Sequence, residues 1–243
     1  MFINCISFLF SGCSAVSTFL GIESDEIEYS VENGEASVTK IPNKATITKI
    51  VIPDEYEGVP VTKINDFAAV NLEYVTEITI GKNVKEIGPW AMENNQHITA
   101  FNVDENNNYF CDVDGVLFTK DMKTLLFYPL AKGLVDAKDE AGNDIKISKY
   151  TIPDGVDVIR TKAFYKCWNI SEIIIPDSVK RIEEKAFFHC EKLKDVKLPA
   201  QLEFIGKDAF SYCYELTKLD IPASIRQIDT YAFYNCKNLS QVK

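Results

Sequence analysis

The chain has 243 residues and a formal net charge of −10, with 36 acidic and 26 basic side chains. Proteins that bind nucleic acid usually carry a basic stripe, so this balance argues against a partner with a phosphate backbone. No apolar stretch approaches the roughly 20 residues that a membrane-spanning helix needs, so no transmembrane segment is predicted.

The N-terminal segment, residues 1–20, is predicted to be a signal or lipoprotein leader. Residues Phe2 to Gly12 are apolar and uncharged. The stretch Leu9 to Cys13 (LFSGC) resembles the bacterial lipobox, whose cysteine becomes the lipidated first residue, so Cys13 is the lipidation candidate. No Lys or Arg precedes the apolar run, whereas a signal peptide has a basic first region. Export with a lipid, export without one and an ordinary N-terminal segment stay open as alternatives.

Residues 22–47 are predicted to form a capping hairpin in front of the rest of the chain. Within them, Asn33-Gly34 is the dipeptide preferred in two-residue hairpin turns, and short strands are expected on both sides of it.

The last third of the chain repeats with a period of 23 residues, in rows that begin at Thr151, Ile174, Lys197 and Asp220. A fixed period of roughly 20–50 residues is the signature of a solenoid or a repeat array. The columns that recur are Pro153, Pro176, Pro199 and Pro222; Ile159, Ile182, Ile205 and Ile228; the Ala-Phe pairs at 163, 186, 209 and 232; Cys167, Cys190, Cys213 and Cys236; and Ile170, Leu193, Leu216 and Leu239.

Each row predicts the same sequence of elements. It opens with a short, half-buried strand, which the following proline ends because proline cannot donate to a ladder. The Ala-Phe-x-x-Cys-x-x-Leu spacing suits one or two turns of α- or 3₁₀-helix. One row cannot bury its own apolar face, so neighbouring rows must stack. The predicted fold class is an α/β repeat solenoid, a right-handed coil with short parallel strands on one face and turns or short helices on the other.

The same frame continues upstream in weaker form, so the solenoid is predicted to cover residues 48–243. Asn95 stands in the cysteine column of one weaker row. An insertion from about residue 99 to 150 interrupts the repeats. The chain stops at Lys243 within a strand and without a polar capping repeat, which predicts an incomplete last repeat and either a truncated gene product or an expressed fragment of a longer protein.

The pattern Ile-x-Ile-Pro-x-x-Val-x-x-Ile-x-x-x-Ala-Phe-x-x-Cys-x-x-Leu resembles the BspA-like leucine-rich repeat of bacterial surface proteins and some protist proteins. The resemblance covers about Ile47 to Val242. The stretch from Tyr109 to Pro129 is similar to a β-hairpin insertion that recurs in that family. The charged segment Val135 to Ile147 departs from the family pattern and has no assigned structure.

The four cysteines of the repeat are predicted to form a structural ladder of buried free thiols. Stacked coils place them in a line, whereas zinc needs about four ligands that converge on one point. Cysteine behaves as a small, often buried hydrophobe. Disulfides and a metal remain the less favoured alternatives.

No catalytic group, cofactor site or metal site is predicted. His189 adjoins Cys190, but adjacent residues in a turn diverge and no third group orients the ring. Asp104, Asn106 and Asn108 are spaced as in a calcium loop, without the glycine and the bidentate acid of an EF-hand. A solvated turn is the preferred interpretation of that segment. An enzyme is therefore not expected.

Aromatic side chains at exposed positions of the turns are the ligand-binding candidates. Such residues suit a protein or glycan interface, and the alternative is that each packs on the neighbouring coil. They are Tyr165, Trp168, Phe188, Tyr212, Tyr214 and Tyr234.

The resemblance implies a cell-surface or secreted protein, an outer-membrane lipoprotein if Cys13 is lipidated, that mediates adhesion or protein–protein interaction without catalysis. Its expected partners are extracellular or host proteins, with glycans as a further class and no nucleic acid. Contact with a membrane is expected only through the lipid anchor. The alternatives are a structural spacer for a missing domain and a glycan-binding module.

Overall fold

The computed structural model describes residues 26–243, which form a β-solenoid of about nine turns. Its twenty strands, β1 to β20, are short, and residues 26–243 contain no α-helix. The predicted solenoid is therefore confirmed, whereas its assignment to the α/β class is not.

The solenoid has two columns of strands, and the first is formed by the opening segment of each repeat. Its strands pair in parallel on either side of the insertion, and single bridges run from Glu172 to Asp195 and from Asp195 to Lys218. The first strand column consists of β3 (Lys49–Val51), β6 (Glu77–Ile80), β8 (Ala100–Val103), β13 (Asp144–Thr151), β15 (Ile170–Ile174), β18 (Lys218–Leu219) and β20 (Gln241–Val242).

A second strand column contains the isoleucine column of the repeat, for which the sequence predicted no strand. Its buried isoleucines align in register across neighbouring coils, as Ile159 does with Ile182 and Ile182 with Ile205. Strands thus lie on two sides of the coil. The second strand column consists of β2 (Glu35–Lys40), β5 (Val59–Ile64), β7 (Glu86–Ile87), β11 (Thr124–Phe127), β14 (Val158–Ile159), β16 (Arg181–Ile182), β17 (Phe204–Ile205) and β19 (Gln227–Ile228), and the short β4 (Glu55–Tyr56) pairs with β5.

The third side of each coil, here called the turn side, runs from the second strand column to the next first-column strand. Helix was one of the two structures expected there, and the described residues form turns. Lys162 and Lys166 have φ angles of 63° and 59°, which lie in the left-handed region and interrupt any helix. The amide of Phe164 donates to the carbonyl oxygen of Ala186 in the next coil at 2.8 Å. The turn side is thus hydrogen-bonded between coils, as the two strand columns are.

The N-terminal hairpin covers the first coil. It consists of β1 (Glu28–Glu32) and β2, joined by Asn33 and Gly34, whose φ angles of 53° and 79° suit a two-residue turn. β2 pairs in parallel with β5, and Ala36 and Val38 are fully buried. This pairing gives the open end of the solenoid a partner strand.

The insertion divides the core into two clusters. β9 (Phe110–Val113), β10 (Val116–Thr119) and β11 form an antiparallel meander, and β11 then joins β14 in the second strand column. Because side chains alternate along a strand, Val116 and Phe118 pack into the C-terminal core, whereas Leu117 packs into the N-terminal core. The meander is therefore a wall between two halves of one solenoid.

The charged segment that had no assigned structure is a second hairpin. β12 (Val135–Lys138) pairs with the first half of β13, and ion pairs of Lys138 with Asp144 and of Lys146 with Asp136 connect the two strands. The ammonium of Lys194 lies 3.6 Å from Glu140, so the hairpin reaches over the first strand column of a later coil.

A ladder of phenylalanines fills the centre of the C-terminal core. Phe164, Phe187 and Phe210 are fully buried, and consecutive rings stack with centroids 4.9 Å apart. Phe233 continues the ladder at 5.5 Å. The Ala-Phe column of the sequence therefore marks the axis of the core.

Candidate functional site

Four of the six predicted aromatic residues form one row along the turn side. The ring of Tyr165 stacks on Phe188 at 5.3 Å, Tyr212 stands edge-on to Phe188 at 5.3 Å, and Tyr234 stands edge-on to Tyr212 at 5.6 Å. Aromatic rings at such separations and tilts attract each other. The six predicted residues are called the aromatic stripe below.

The aromatic stripe is accessible although its members touch one another. Tyr234 is 52% exposed, and Tyr165, Phe188 and Tyr212 are half-buried. The two interpretations of the sequence are therefore not exclusive, because each ring packs on the next coil and still presents an edge or a face to solvent.

Tyr214 and Trp168 occupy a neighbouring column of the turn side. Tyr214 stands edge-on to Tyr212 at 6.1 Å, and the ammonium of Lys237 lies 4.6 Å from its ring centroid. Trp168 is half-buried directly after Cys167. These two side chains therefore lie beside the row of four rings and not at either end of it.

Two residues belong to the same surface but were not among the candidates. His189 stacks on Tyr212 with ring centroids 4.4 Å apart, and its Nδ1 lies 2.9 Å from Glu191 Oε1. Tyr231 is 62% exposed and stands edge-on to Tyr234 at 5.6 Å. The sequence offered a signal for His189, which lies in the same repeat column as Tyr212, whereas Tyr231 lies three positions before the column of Tyr165 and Phe188.

The cysteine column lies inside the coil, beneath the stripe. The four thiols are free, and those of Cys167, Cys190 and Cys213 are buried. Cys190 Sγ donates to the carbonyl oxygen of Phe164 at 3.3 Å, and Cys213 and Cys236 make the same contact with Phe187 and Phe210. Burial raises the pKa of each thiol, to about 11 for Cys236.

Asn95, in the N-terminal half, makes the same kind of hydrogen bond to the preceding coil as the cysteines make in the C-terminal half. Its Nδ2 donates to the carbonyl oxygen of Ala69 at 2.7 Å, and its Oδ1 accepts from the amide of Leu72 at 2.9 Å. The column therefore requires a small group that can donate to the preceding coil, and a thiol or an amide fulfils this.

We expect the thiols of Cys167, Cys190 and Cys213 to resist iodoacetamide in the native protein at neutral pH. Only the thiolate reacts, and burial both blocks the reagent and raises the thiol pKa. Peptide mapping after timed alkylation measures this, with half-buried Cys111 as the faster-reacting control. Labelling of the buried three at the rate seen in denatured protein would contradict the expectation.

The segment with calcium-like spacing is an ordinary turn. Asp104 Oδ1 accepts the amide of Asn106 at 2.8 Å, whereas Asn107 between the candidates is fully buried. In the described part of the chain no cluster of His, Cys, Asp or Glu could hold a metal ion. In that same part no helix has the length and apolarity to cross a membrane. The predicted leader and Cys13 lie outside the described residues.

Comparison with solved structures shows the same kind of solenoid in bacterial proteins. A leucine-rich cell surface protein from Faecalibacterium prausnitzii is 22% identical with a TM-score of 0.54, over 81% of this chain and 59% of that one. A leucine-rich repeat protein from Eubacterium ventriosum is 20% identical with a TM-score of 0.58, over 82% and 58%. The pneumococcal vaccine antigen PcpA is 17% identical with a TM-score of 0.50, over 91% and 86%.

The chain thus spans less than two thirds of the length of the first two of these proteins. None of the curated proteins matches it. The family model of the BspA-type leucine-rich repeat region matches in six copies, over residues 39–167 and 113–240. Together the matches cover almost all of the solenoid, and the chain belongs to the BspA-type leucine-rich repeat family.

Proposed function

We propose that this protein is a cell-surface or secreted recognition protein that binds a partner protein through the aromatic stripe. The observation that carries the proposal is the continuous, partly exposed row from Tyr165 through Phe188 and Tyr212 to Tyr234. Rigid aromatic side chains supply contact area at a low cost in conformational entropy, and tyrosine and tryptophan are enriched among residues that dominate binding.

The electrostatics of the turn side support a protein ligand. The ammonium of Lys237 lies over Tyr214, and the carboxylate of Glu191 contacts the ring of His189. An apolar row flanked by charges of both signs suits a protein surface that has an apolar centre and a polar rim.

Export belongs to the same proposal. A leucine-rich protein of similar fold from Faecalibacterium prausnitzii is a cell surface protein, and the family is typically found at the surface or secreted. Lipidation at Cys13 would anchor the N-terminal end of the solenoid and leave the stripe, in the C-terminal half, at a distance from the membrane.

The test uses a panel of extracellular-matrix proteins and glycans and the double variant Tyr212→Ala/Tyr234→Ala, which removes two rings of the row. For a protein that the wild type binds saturably, we expect the double variant to lose at least about 30-fold in affinity, corresponding to ~2 kcal/mol. Surface plasmon resonance measures the loss, and circular dichroism verifies the fold.

The matched control is Tyr74→Ala/Tyr109→Ala, which removes two exposed tyrosines away from the stripe, 43% and 50% exposed. It should leave affinity unchanged. Equal affinity of the stripe variant and the wild type would exclude the stripe as the binding face. Binding to glycans alone would replace the protein partner by a glycan, and a blank across the panel from folded protein would favour a spacer.

A further inference from the structure

A buried Lys–Glu contact joins the two halves of the solenoid on the turn side. Glu93 precedes the insertion and Lys162 follows it, and the Lys162 ammonium is in direct contact with Glu93 Oε1. The side chains are only 2% and 20% exposed. Apart from this contact, neither Lys162 Nζ nor Glu93 Oε1 has a hydrogen-bond partner within residues 26–243. The two groups therefore face each other and little else that is polar.

Aromatic rings enclose this contact. Lys162 Nζ lies 2.9 Å from the ring centroid of Trp90 and 4.4 Å from that of Tyr165. In this enclosure the two groups lose their hydration and keep only their contact with each other, which raises the population of the neutral amine and the neutral carboxyl group. Burial, followed by the nearby ammonium of Lys185, lowers the pKa of Lys162 to about 7. The uncharged, nucleophilic amine is therefore a much larger fraction of Lys162 at neutral pH than of an exposed lysine.

We propose that Lys162 and Glu93 condense to an intramolecular amide bond. The lone pair of the neutral Nζ attacks Cδ of the protonated Glu93 carboxyl group and forms a C–N bond. The C–O bond to the hydroxyl group then breaks, and the hydroxyl leaves as water with one proton from the amine. Atoms and electrons balance without an oxidant, a reductant or a further reactant.

The close contact and the adjoining cavity favour this reaction. Groups held in contact react with effective molarities of about 10⁵–10⁸ M in well-oriented cases. A cavity of about 20 Å³ lies beside the pair and is lined by Glu93, Lys162, Met92, Ile98 and Tyr165. This is room for about one water molecule, so the product water has a place to go. Glu93, the more exposed partner, marks the side from which that water reaches solvent.

The bond would give the solenoid a covalent connection where its core is divided. The wall formed by β9 to β11 separates the two core clusters. Across it, on the turn side, Arg160 Nη2 also donates to the carbonyl oxygen of Ile87 at 2.6 Å. A cross-link between residues 93 and 162 encloses the whole insertion in one covalent loop, which restricts the unfolded chain as a disulfide does.

Intact mass spectrometry of the full chain, aged in neutral buffer and then denatured, tests the proposal. We expect a mass lower by one water molecule than that of a Lys162→Arg variant, after correction for the substitution. Arginine keeps the charge and length but does not form the amide. Peptide mapping should recover the Glu93 and Lys162 peptides as one branched species, with no cleavage after Lys162.

Two further variants make the outcome decisive. Glu93→Ala should carry its full calculated mass, whereas Lys185→Arg, which leaves both reacting groups in place, should show the same loss of water as the wild type. A wild type at full mass with separate peptides would overturn the proposal and leave an ion pair. A loss of water that persists in Lys162→Arg would also overturn it, because the loss would then lie elsewhere.

Discussion

Replacing Phe187 by Ala is expected to lower the free energy of unfolding by about 3–5 kcal/mol, the usual cost of truncating a buried phenylalanine. The ring is fully buried and stacks between Phe164 and Phe210, with centroids 4.9 Å from each. A cavity at this position would interrupt the ladder, and the rings on either side could not close it, because the backbone hydrogen bonds between coils hold them apart.

Guanidinium unfolding followed by circular dichroism measures this loss. Tyr231→Ala, at a position that is 62% exposed, is the control and should change stability by no more than about 0.5 kcal/mol. A loss below about 1 kcal/mol for Phe187→Ala would mean that the coils can collapse around the gap, contrary to the close packing described here.

Asn107→Ala is expected to have an effect of similar size, at least about 3 kcal/mol, because several buried polar groups lose their partners at about 1–3 kcal/mol each. The fully buried Asn107 side chain donates from Nδ2 to the carbonyl oxygens of Gly81 and Val84 at 2.9 Å each. Its Oδ1 accepts the amides of Tyr109 and Phe110 at 2.8 Å each. One amide group thus connects the start of the insertion to the preceding coil.

The same unfolding experiment tests this variant, and hydrogen exchange shows which backbone amides lose protection. Amides of β9 and β10 should lose protection first, since Asn107 directly precedes β9. The exposed neighbour Asn106 hydrogen-bonds only within its own turn in the described structure, so Asn106→Ala is the matched control. Equal stabilities of the two variants would show that other contacts hold the insertion in place.

Period, columns and family followed from the sequence, because a stacked fold repeats the same environment in every coil. The columns that begin with Ile159, Phe164 and Cys167 are buried in the same way in successive coils, so selection for burial leaves the same residue type in each repeat. The resemblance to BspA-type repeats rested on these columns, and the family match confirms it.

The structure of the turn side could not be predicted in the same way. The Ala-Phe-x-x-Cys-x-x-Leu spacing places apolar groups on one side of either a helix or a series of turns, so the pattern does not distinguish them. The choice depends on where the amides find acceptors. The amides of Lys162, Phe164 and Lys166 donate to carbonyl oxygens of the next coil, which is close enough only after stacking.

The aromatic stripe depends both on the repeat pattern of the sequence and on the stacking of the coils. Its residues could be named from the sequence, because each lies beside a buried column of the repeat. Whether they are exposed or packed depends on how the rings are oriented across coils. In the structure each ring of the row packs on a ring of the next coil and is also partly exposed. The inclusion of His189 depended on its stacking on Tyr212 of the next repeat, and that of Tyr231 on its edge-on contact with Tyr234 in the same repeat.

The sequence by itself determined the repeat, its buried columns and its family, since these follow from local composition repeated at a fixed interval. Only the tertiary structure decided how the irregular parts fit. The roles of Asn107 and of the Glu93–Lys162 contact arise from residues far apart in the chain that occur once. A single occurrence has no period, so its meaning depends on which neighbours folding brings to it.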